Sequence, residues 1–320
     1  MGLGAYLFFG SRDKAGIVVP AVKEKRAEEI SNKSSDWSIE KLSLRTYQSK
    51  ITIERKTRET ALFNSYVVSF DSDGLKQFAL MNVPKSGKPD GGFPVVVVNH
   101  GYIPPEEFSV ENSYINTSAY YANNGFLVLK PDYRGHDNSE GTATGLRDRI
   151  SYSIDVLNLI AGIKSLENAD FENIFMFGHS MGGEVSLRVG EICGTCIRAI
   201  SFWAPAVTSW PESSFYFSRR NDSARFERLQ NEFRENFSEA DVATVSTWEN
   251  INRLKVPVIV HHGTADESVP YSWGVELDKK FKSEGVSSSL YTYQNDNHDI
   301  AANWSRALNR DIEFFRRTIE

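Results

Sequence analysis

The chain has 320 residues with a formal net charge of −6, and 40% of its residues are hydrophobic and 12% aromatic. That length and apolar content suit one large α/β domain with an insertion, or two smaller domains. The charges form no long run of one sign, which argues against a nucleic-acid scaffold, so we expect no nucleic-acid partner.

The chain starts with a short apolar run at residues 1–10, which is shorter than the roughly 20 residues that a membrane-spanning helix needs. It has no positive flank and no clear cleavage site, which suits a trimmed anchor or a segment packed on the domain surface. No other stretch is apolar enough to span, so we expect a soluble chain. Its compartment stays open between the cytoplasm and export or anchoring through a trimmed N-terminal segment.

Residues 1–50 are predicted to form an N-terminal extension that is polar from about residue 20 and weakly helical at Ala27–Ile30. The extension is followed by runs in which apolar and polar side chains alternate, as in half-buried strands. These runs lie at 50–54, 65–70 and 75–83. The last two flank Asp71-Ser72-Asp73-Gly74, whose Asp-Gly pair predicts a hairpin turn.

From Val95 onwards the pattern changes to short continuous apolar runs, which are typical of strands buried on both faces of a sheet. Such runs lie at 95–98, 126–129, 174–177, 199–202 and 256–260, with a weaker one at 290–293. Helical segments are predicted over 110–123, 147–166, 181–192, 271–284 and 303–318. This alternation predicts an α/β fold with a mainly parallel central sheet flanked by helices, whose functional residues follow the strands' carboxyl ends.

Residues 207–250 interrupt this alternation with a stretch of helical and strongly aromatic composition. A structureless loop of that length is improbable in a domain. We therefore predict a small helical cap inserted over the strand ends. It divides the core into a first part at 51–206 and a second part at 251–320.

The run at 174–177 leads into Gly178-His179-Ser180-Met181-Gly182, a G-x-S-x-G pattern followed by a helical segment. Strand, sharp turn and helix are the context that an exposed nucleophilic serine requires, with small residues on either side. A tight turn that contains a serine by chance stays open from the motif alone. We predict Ser180 as the nucleophile.

A serine hydroxyl needs a base, and a histidine base needs an orienting carboxylate. We expect His179 to point away from its neighbour Ser180, whereas His298 lies in a polar loop after the last strand and is the predicted base. Asp266 follows the run at 256–260 and is the predicted carboxylate, with Glu267 as a rival. The other four histidines have packing or loop interpretations: His100, His136, His261 and His262.

A tetrahedral oxyanion needs two preorganised N–H donors. We predict that Met181 supplies one of these N–H groups. Tyr102 is the candidate for the other, because Gly101 before it lets the backbone come close. The alternative is that residues 99–105 form a rigid proline turn without a catalytic role.

Cys193 and Cys196 form a C-x-x-C pair after a helical stretch, whereas a redox pair is expected at a helix start, where the dipole lowers a thiol pKa. A small structural disulfide or two unpaired thiols is therefore expected. Two cysteines also make a poor zinc site, and adjacent histidines on a strand face opposite ways. We expect no metal and no other cofactor.

These residues together resemble the α/β-hydrolase fold, in which nucleophile, acid and histidine follow in the chain order Ser180, Asp266, His298. The loops at 100–101, 132–141 and 262–270 are similar to those of the family. The resemblance runs from about residue 64 to the C-terminus and is strongest to the prolyl-oligopeptidase-like and dienelactone-hydrolase-like branch. The chain departs from that branch in having serine where dienelactone hydrolases have cysteine. It also has only about 60 residues before the core, where the peptidases carry a propeller.

The resemblance implies a cofactor-free serine carboxylesterase that hydrolyses small to medium esters through a Ser-His-Asp triad and an acyl-enzyme. Its partner is then a small-molecule ester, bound beside the predicted apolar walls Trp203, Trp210, Phe215 and Phe217. One alternative is a peptidase or amidase of the same branch. Another is a non-catalytic binding protein on a hydrolase fold. The natural ester and the oligomeric state stay open.

Overall fold

The computed structural model describes residues 36–85 and 87–319. The apolar N-terminal run, the weak helix predicted at Ala27–Ile30 and most of the predicted extension therefore lie outside the described residues. Within the described ranges, no helix combines the length and the apolar character needed to cross a membrane.

The described residues form a single nine-stranded sheet in the order β1-β2-β3-β5-β4-β6-β7-β8-β9. The pairs β1–β2, β2–β3 and β3–β5 are antiparallel, and every pair from β5 across to β9 is parallel. The predicted mainly parallel sheet is thus confirmed. The strands are β1 Thr52–Glu59, β2 Phe63–Ser72, β3 Leu75–Pro84, β4 Phe93–Asn99, β5 Leu127–Pro131, β6 Ala169–His179, β7 Ala199–Trp203, β8 Val258–Gly263 and β9 Ser288–Tyr293.

The helices lie between and after these strands. They are α1 Ile39–Ser43, α2 Ile115–Asn123, α3 Leu146–Gly162, α4 Met181–Cys193, α5 Glu212–Asn221, α6 Ser223–Asn236, α7 Glu239–Val245, α8 Tyr271–Ser283 and α9 Trp304–Ile319. The helix predicted over 110–123 is wrong at its start. Tyr114, just before α2, has a φ of 53°, and this left-handed conformation is incompatible with a right-handed helix.

The hairpin predicted around Asp73-Gly74 is confirmed. Ser72 at the end of β2 lies opposite Leu75 at the start of β3, so only two residues make the turn. Their φ values are 54° for Asp73 and 80° for Gly74, and positive φ at both central residues defines the turn that matches the twist of a hairpin.

The valine run of β4 lies at the centre of the sheet and is buried on both faces. Val95 and Val97 belong to a hydrophobic cluster with residues of α3 and α4, whereas Val96 and Val98 belong to a second cluster with residues of α2 and α9. Side chains alternate between the faces of a strand, so one continuous apolar run contributes to two cores.

The stretch between β7 and β8 forms the three helices α5, α6 and α7. Its core includes Trp210, whose ring packs against Phe233 and Phe237 with centroid distances of 5.8 and 4.8 Å. Glu232 of α6 accepts a hydrogen bond of 2.8 Å from the backbone N–H of Leu146 at the start of α3. This carboxylate therefore attaches the inserted helices to the core at a helix N-terminus, where a negative charge is favourable.

Cys193 and Cys196 are joined by a disulfide with a Cα–Cα separation of 5.5 Å. It closes the end of α4 before the chain enters β7. Of the alternatives left open by the sequence, the structure has the disulfide rather than two free thiols.

Candidate active site

Ser180 lies on a sharp turn between β6 and α4, with φ 53° and ψ −119°. Such a conformation is unfavourable for a residue with a side chain and persists only where the surroundings hold it. Here the Ser180 N–H donates to the Trp203 carbonyl, and the Ser180 carbonyl accepts from the N–H groups of Gly183 and Ala206, each at 2.9 Å. The turn is therefore fixed from both sides, and the serine lines a cavity.

The glycines on either side of the serine are required by close backbone contact. A Cβ on Gly182 would lie 2.1 Å from the carbonyl oxygen of Asn99 at the end of β4. A Cβ on Gly178 would lie 2.6 Å from the carbonyl oxygen of Gly182. Helix α4 can therefore start directly beside the carboxyl end of the sheet only because these two side chains are missing.

His298 and Asp266 come from the loops after β9 and β8 and form a hydrogen-bonded pair. The distance between His298 Nδ1 and Asp266 Oδ2 is 2.8 Å, and the Asp266 side chain is fully buried. The other carboxylate oxygen accepts the backbone N–H groups of Ser268 and Val269, both at 2.8 Å. Glu267, the rival carboxylate, reaches only the backbone N–H of His298, at 3.4 Å. Asp266, rather than Glu267, therefore orients the imidazole.

Asp266 also receives a second imidazole, since His262 Nε2 lies 3.0 Å from the same Oδ2 atom. Burial alone raises the pKa of Asp266, but the hydrogen bonds from His262 and then His298 outweigh it and hold the pKa below its usual range. The carboxylate is therefore ionised at neutral pH and can stabilise a cationic His298 ring. The sequence assigned His262 only to packing, because its distance to Asp266 depends on the turn that follows β8.

Ser180 and His298 line the same cavity. Among the described residues, Ser180 Oγ has no hydrogen-bond partner, so its hydroxyl is available to a ligand or to the imidazole. Hydrogen bonds between a nucleophile and its base are often long without substrate and tighten in the complex.

Two backbone N–H groups next to Ser180 are also without acceptors among the residues that the structure describes, those of Met181 and Tyr102. Met181 is the first residue of α4, whose initial N–H groups have no partner within the helix. In the loop after β4, the N–H of Gly101 donates to Tyr114 Oη at 2.9 Å and is therefore already used. The next residue, Tyr102, lines the cavity and remains the candidate for the second donor.

Tyr114 and His179 line the cavity and form a chain of hydrogen bonds in its wall. The N–H of Gly101 donates to Tyr114 Oη, and the Tyr114 hydroxyl donates to His179 Nδ1 at 2.5 Å. His179 Nε2 then donates to the backbone carbonyl of His298 at 3.2 Å. The chain connects the loop after β4 with the loop that carries His298, and no feature of the sequence indicated Tyr114.

His179 cannot act as the base, and the sequence did not predict it as one. Both of its ring nitrogens are engaged, and burial, followed by the nearby His298, lowers the pKa of His179 to about 3. Its ring lies against that of His298, with a centroid distance of 4.6 Å. His179 is therefore a neutral imidazole that supports the His298 ring.

The cavity at Ser180 has a volume of about 520 Å³, and Phe217 of α5 is part of its wall. The structure places the other three predicted aromatic residues elsewhere, which corrects the expectation that they line the site. Trp210 and Phe215 pack within the inserted helices, which need a core of their own. Trp203 is 2% exposed, and its indole N–H donates to Asp311 of α9 at 3.0 Å, on the opposite face of the sheet.

Two arginines that the sequence did not single out line the same cavity, Arg149 of α3 and Arg225 of α6. They are distant from each other and from Ser180 along the chain, and neither belongs to a motif. Only the packing of α6 beside the start of α3 brings them together.

The fold agrees with comparisons with known proteins. The profile of a family described as "Serine aminopeptidase, S33" matches residues 93–236. Protein ABHD12B of Homo sapiens is 25% identical over 192 residues, a match that covers 58% of this chain and 49% of that protein. The chain thus spans about half the length of this relative.

Two further similarities cover more of the chain. The non-heme chloroperoxidase of Streptomyces lividans is 24% identical over 293 residues, covering 76% of this chain and 97% of that protein. The solved structure of an acetyl xylan esterase from a Paenibacillus species has a TM-score of 0.64 at 17% identity, covering 90% of this chain and 94% of that one.

The chain has the α/β-hydrolase fold, which the sequence resemblance implied. The part of the chain that is similar to the serine aminopeptidase family, residues 93–236, contains Ser180.

The buried hydrogen-bond chain predicts that Tyr114→Phe destabilises the protein. The substitution leaves a buried His179 nitrogen and the Gly101 N–H without partners, so we expect the free energy of unfolding to fall by about 1–3 kcal/mol. Urea denaturation measures this loss. Tyr120→Phe, in the helix α2 that follows Tyr114, is the control, because the Tyr120 hydroxyl donates to Asn309 at the exposed surface. Equal losses of unfolding free energy in Tyr114→Phe and Tyr120→Phe would contradict the stabilising role of the hydrogen-bond chain.

The neutral, buried His179 predicts an acid-dependent loss of stability. Because the pKa of His179 is about 3 in the folded chain and about 6.5 when exposed, the unfolded chain binds a proton that the folded chain does not. The contribution is fully present above about pH 6.5 and falls by up to about 1.4 kcal/mol per pH unit below it. Unfolding free energies at pH 7, 6 and 5 should therefore fall less steeply in His179→Gln. Parallel pH profiles for the wild type and His179→Gln would argue against a neutral, buried His179.

Proposed function

We propose that this chain is a serine carboxylesterase that hydrolyses small to medium carboxylic esters through a Ser180–His298–Asp266 triad. The observation that carries the proposal is the convergence of Ser180, the His298–Asp266 pair and two free N–H groups on one cavity. A nucleophile, an oriented base and an oxyanion site are the parts that acyl transfer requires.

In the proposed reaction, His298 takes the proton of Ser180 as Oγ attacks the ester carbonyl. Asp266 holds the imidazole in its tautomer and stabilises the imidazolium. The N–H groups of Met181 and Tyr102 bind the oxyanion of the tetrahedral intermediate. Collapse of that intermediate breaks the ester C–O bond, and His298 returns the proton to the leaving alcohol.

Water then attacks the acyl-enzyme on the same site. His298 takes a proton from the water, the oxyanion forms again, and the acid leaves as Ser180 recovers its proton. One ester and one water thus give one acid and one alcohol, with no change of oxidation state and no cofactor.

The inserted helices act as a cap over this site in our proposal. Ser214, Phe217 and Ser218 of α5 line the cavity opposite the serine. A cavity of about 520 Å³ lies within the usual range for small-molecule sites and suits an ester of small to medium size.

A peptidase or amidase is the second candidate, because the matching family is described as a serine aminopeptidase. Asp222 and Asp299 line the cavity and offer carboxylates for a peptide's amino terminus. Against this, Arg149 and Arg225 line the same cavity and would repel an ammonium group. The two arginines therefore favour the esterase over an enzyme that binds an amino terminus in this cavity.

The assigned nucleophile predicts that Ser180→Ala abolishes ester hydrolysis. We expect kcat for p-nitrophenyl acetate and butyrate to fall by roughly 10³-fold or more, since removal of a triad nucleophile has effects of that order or larger. A fluorophosphonate probe should label the wild type and not the variant. Ser283→Ala, at the exposed end of α8, is the matched control. Wild-type turnover in Ser180→Ala, or a wild type that neither reacts with the probe nor hydrolyses any ester, would reject the proposal.

The choice between esterase and peptidase predicts a substrate order. We expect kcat/KM for p-nitrophenyl butyrate to exceed that for an aminoacyl-4-nitroanilide by at least about tenfold, a difference of about 1.4 kcal/mol in the activation free energy. Steady-state assays with both chromogenic substrates make the comparison, and Ser180→Ala sets the background. Anilide turnover that equals or exceeds ester turnover would favour the aminopeptidase.

A further inference from the structure

Arg149 and Arg225 line the cavity of Ser180, and neither has a carboxylate partner, in contrast to several other arginines of the described chain. Arg134, for example, pairs with Asp155 at 2.6 Å, and Arg219 pairs with Glu212 at 3.0 Å. Within residues 36–85 and 87–319, no acidic oxygen lies within salt-bridge distance of Arg149 or Arg225. The guanidinium of Arg225 donates only to the hydroxyl of Tyr102, at 3.1 Å.

Both guanidinium groups are partly buried and face the cavity that contains Ser180. A charged group removed from water without a partner is costly. Burial lowers the pKa of Arg149 from its usual value, the attraction of Glu184 opposes this, and the positive charge of Arg225 lowers it further. Both cations line one cavity, and an anion bound there would offset both costs.

The acidic residues nearby do not supply that anion. Glu184 belongs to α4, where its Oε1 lies 3.6 Å from Arg188. Asp222 is exposed and caps α6 by accepting the backbone N–H of Arg225. The Asp299 side chain is 74% exposed at the cavity edge near His179. Exposed carboxylates stay hydrated, so they compensate the positive charge of a partly buried guanidinium only weakly.

Resting on the esterase function proposed above, we propose that the substrate is an ester that also carries a carboxylate, which Arg149 and Arg225 bind while Ser180 attacks the ester carbonyl. Guanidinium groups match a carboxylate with paired, charge-assisted hydrogen bonds. Both arginines line the cavity of Ser180, so the carboxylate and the ester belong to one small molecule. The carboxylate then fixes the orientation of the ester bond relative to the serine.

The carboxylate can lie on the acyl or the alcohol part of the ester, and two pairs of substrates distinguish these cases. The acyl pair is 4-nitrophenyl hemisuccinate against 4-nitrophenyl butyrate. The alcohol pair is 4-acetoxybenzoate against phenyl acetate. We expect the wild type to favour the anionic member of one pair, and the ratio of kcat/KM values within that pair is the quantity measured.

Arg149→Met and Arg225→Met keep the length of the side chain and remove its charge. We expect each variant to lower the anionic-to-neutral ratio by about 10- to 100-fold, the range for a lost hydrogen bond to a charged group. Arg228→Met is the control, since Arg228 is exposed on the same helix α6 and does not line the cavity. It makes the same change in net charge and should leave the ratio unchanged. An unchanged ratio in both cavity variants would overturn the proposal.

A binding measurement separates this proposal from the proposed function. Titration calorimetry of Ser180→Ala with monomethyl succinate and with 4-acetoxybenzoate should detect binding of one of them. That binding should weaken at least about tenfold when Arg149→Met or Arg225→Met is added, since either loses a charge-assisted hydrogen bond. Circular dichroism checks that each variant is folded.

Failure of the esterase proposal and failure of the carboxylate site therefore give different results. Arginine-dependent binding without hydrolysis by the wild type would overturn the esterase and leave the carboxylate site. Hydrolysis of neutral esters, with neither a preference nor binding that depends on the arginines, would overturn the carboxylate site and leave the esterase.

Discussion

The site depends on one constraint, the close approach of the start of α4 to the end of β4. The backbone of Gly182 lies so near the carbonyl of Asn99 that any side chain would collide with it. This approach accompanies the strained conformation of Ser180, and Met181, the first residue of α4, lines the same cavity. The strain is held by three backbone hydrogen bonds of Ser180 and by the buried strands on either side. The geometry of the serine is thus a consequence of the packing of the whole sheet.

The buried chain from Gly101 through Tyr114 and His179 to His298 gives the loops a common support. Each of its donors has an acceptor, which is the condition under which a buried polar network stabilises a structure. It also explains a histidine next to the nucleophile that does not take part in proton transfer. A neutral ring there adds no charge beside His298, and its Nε2–H holds the backbone of the loop that presents the His298 imidazole.

The sequence predicted the features that depend on local pattern, and it missed those that depend on packing between distant elements. Continuous valines predicted a strand buried on both faces, and an Asp-Gly pair predicted a hairpin, because each signal is contained in a few neighbouring residues. The loops of Ser180, Asp266 and His298 could be placed together because parallel strands present their carboxyl ends at one edge. The aromatic composition of 207–250 predicted helices there but not which rings face inward. Phe217 lines the cavity, whereas Trp210 became core.

Glu232 links the two elements that supply the cavity arginines. Its carboxylate accepts the N–H groups of Leu146 and Arg147, at 2.8 and 3.2 Å, in the first turn of α3 that also contains Arg149. On α6, Glu232 lies about two helical turns after Arg225. A carboxylate at a helix N-terminus is favourable by itself. Here it also fixes the position of α6 relative to α3, and therefore the position of the Arg225 guanidinium relative to that of Arg149. The chemistry that we propose thus comes from loops at the edge of a rigid sheet. The charge that we assign to substrate recognition comes from α3, which packs on the sheet, and from α6 of the inserted helices, and a part-buried contact between these two helices keeps it in place.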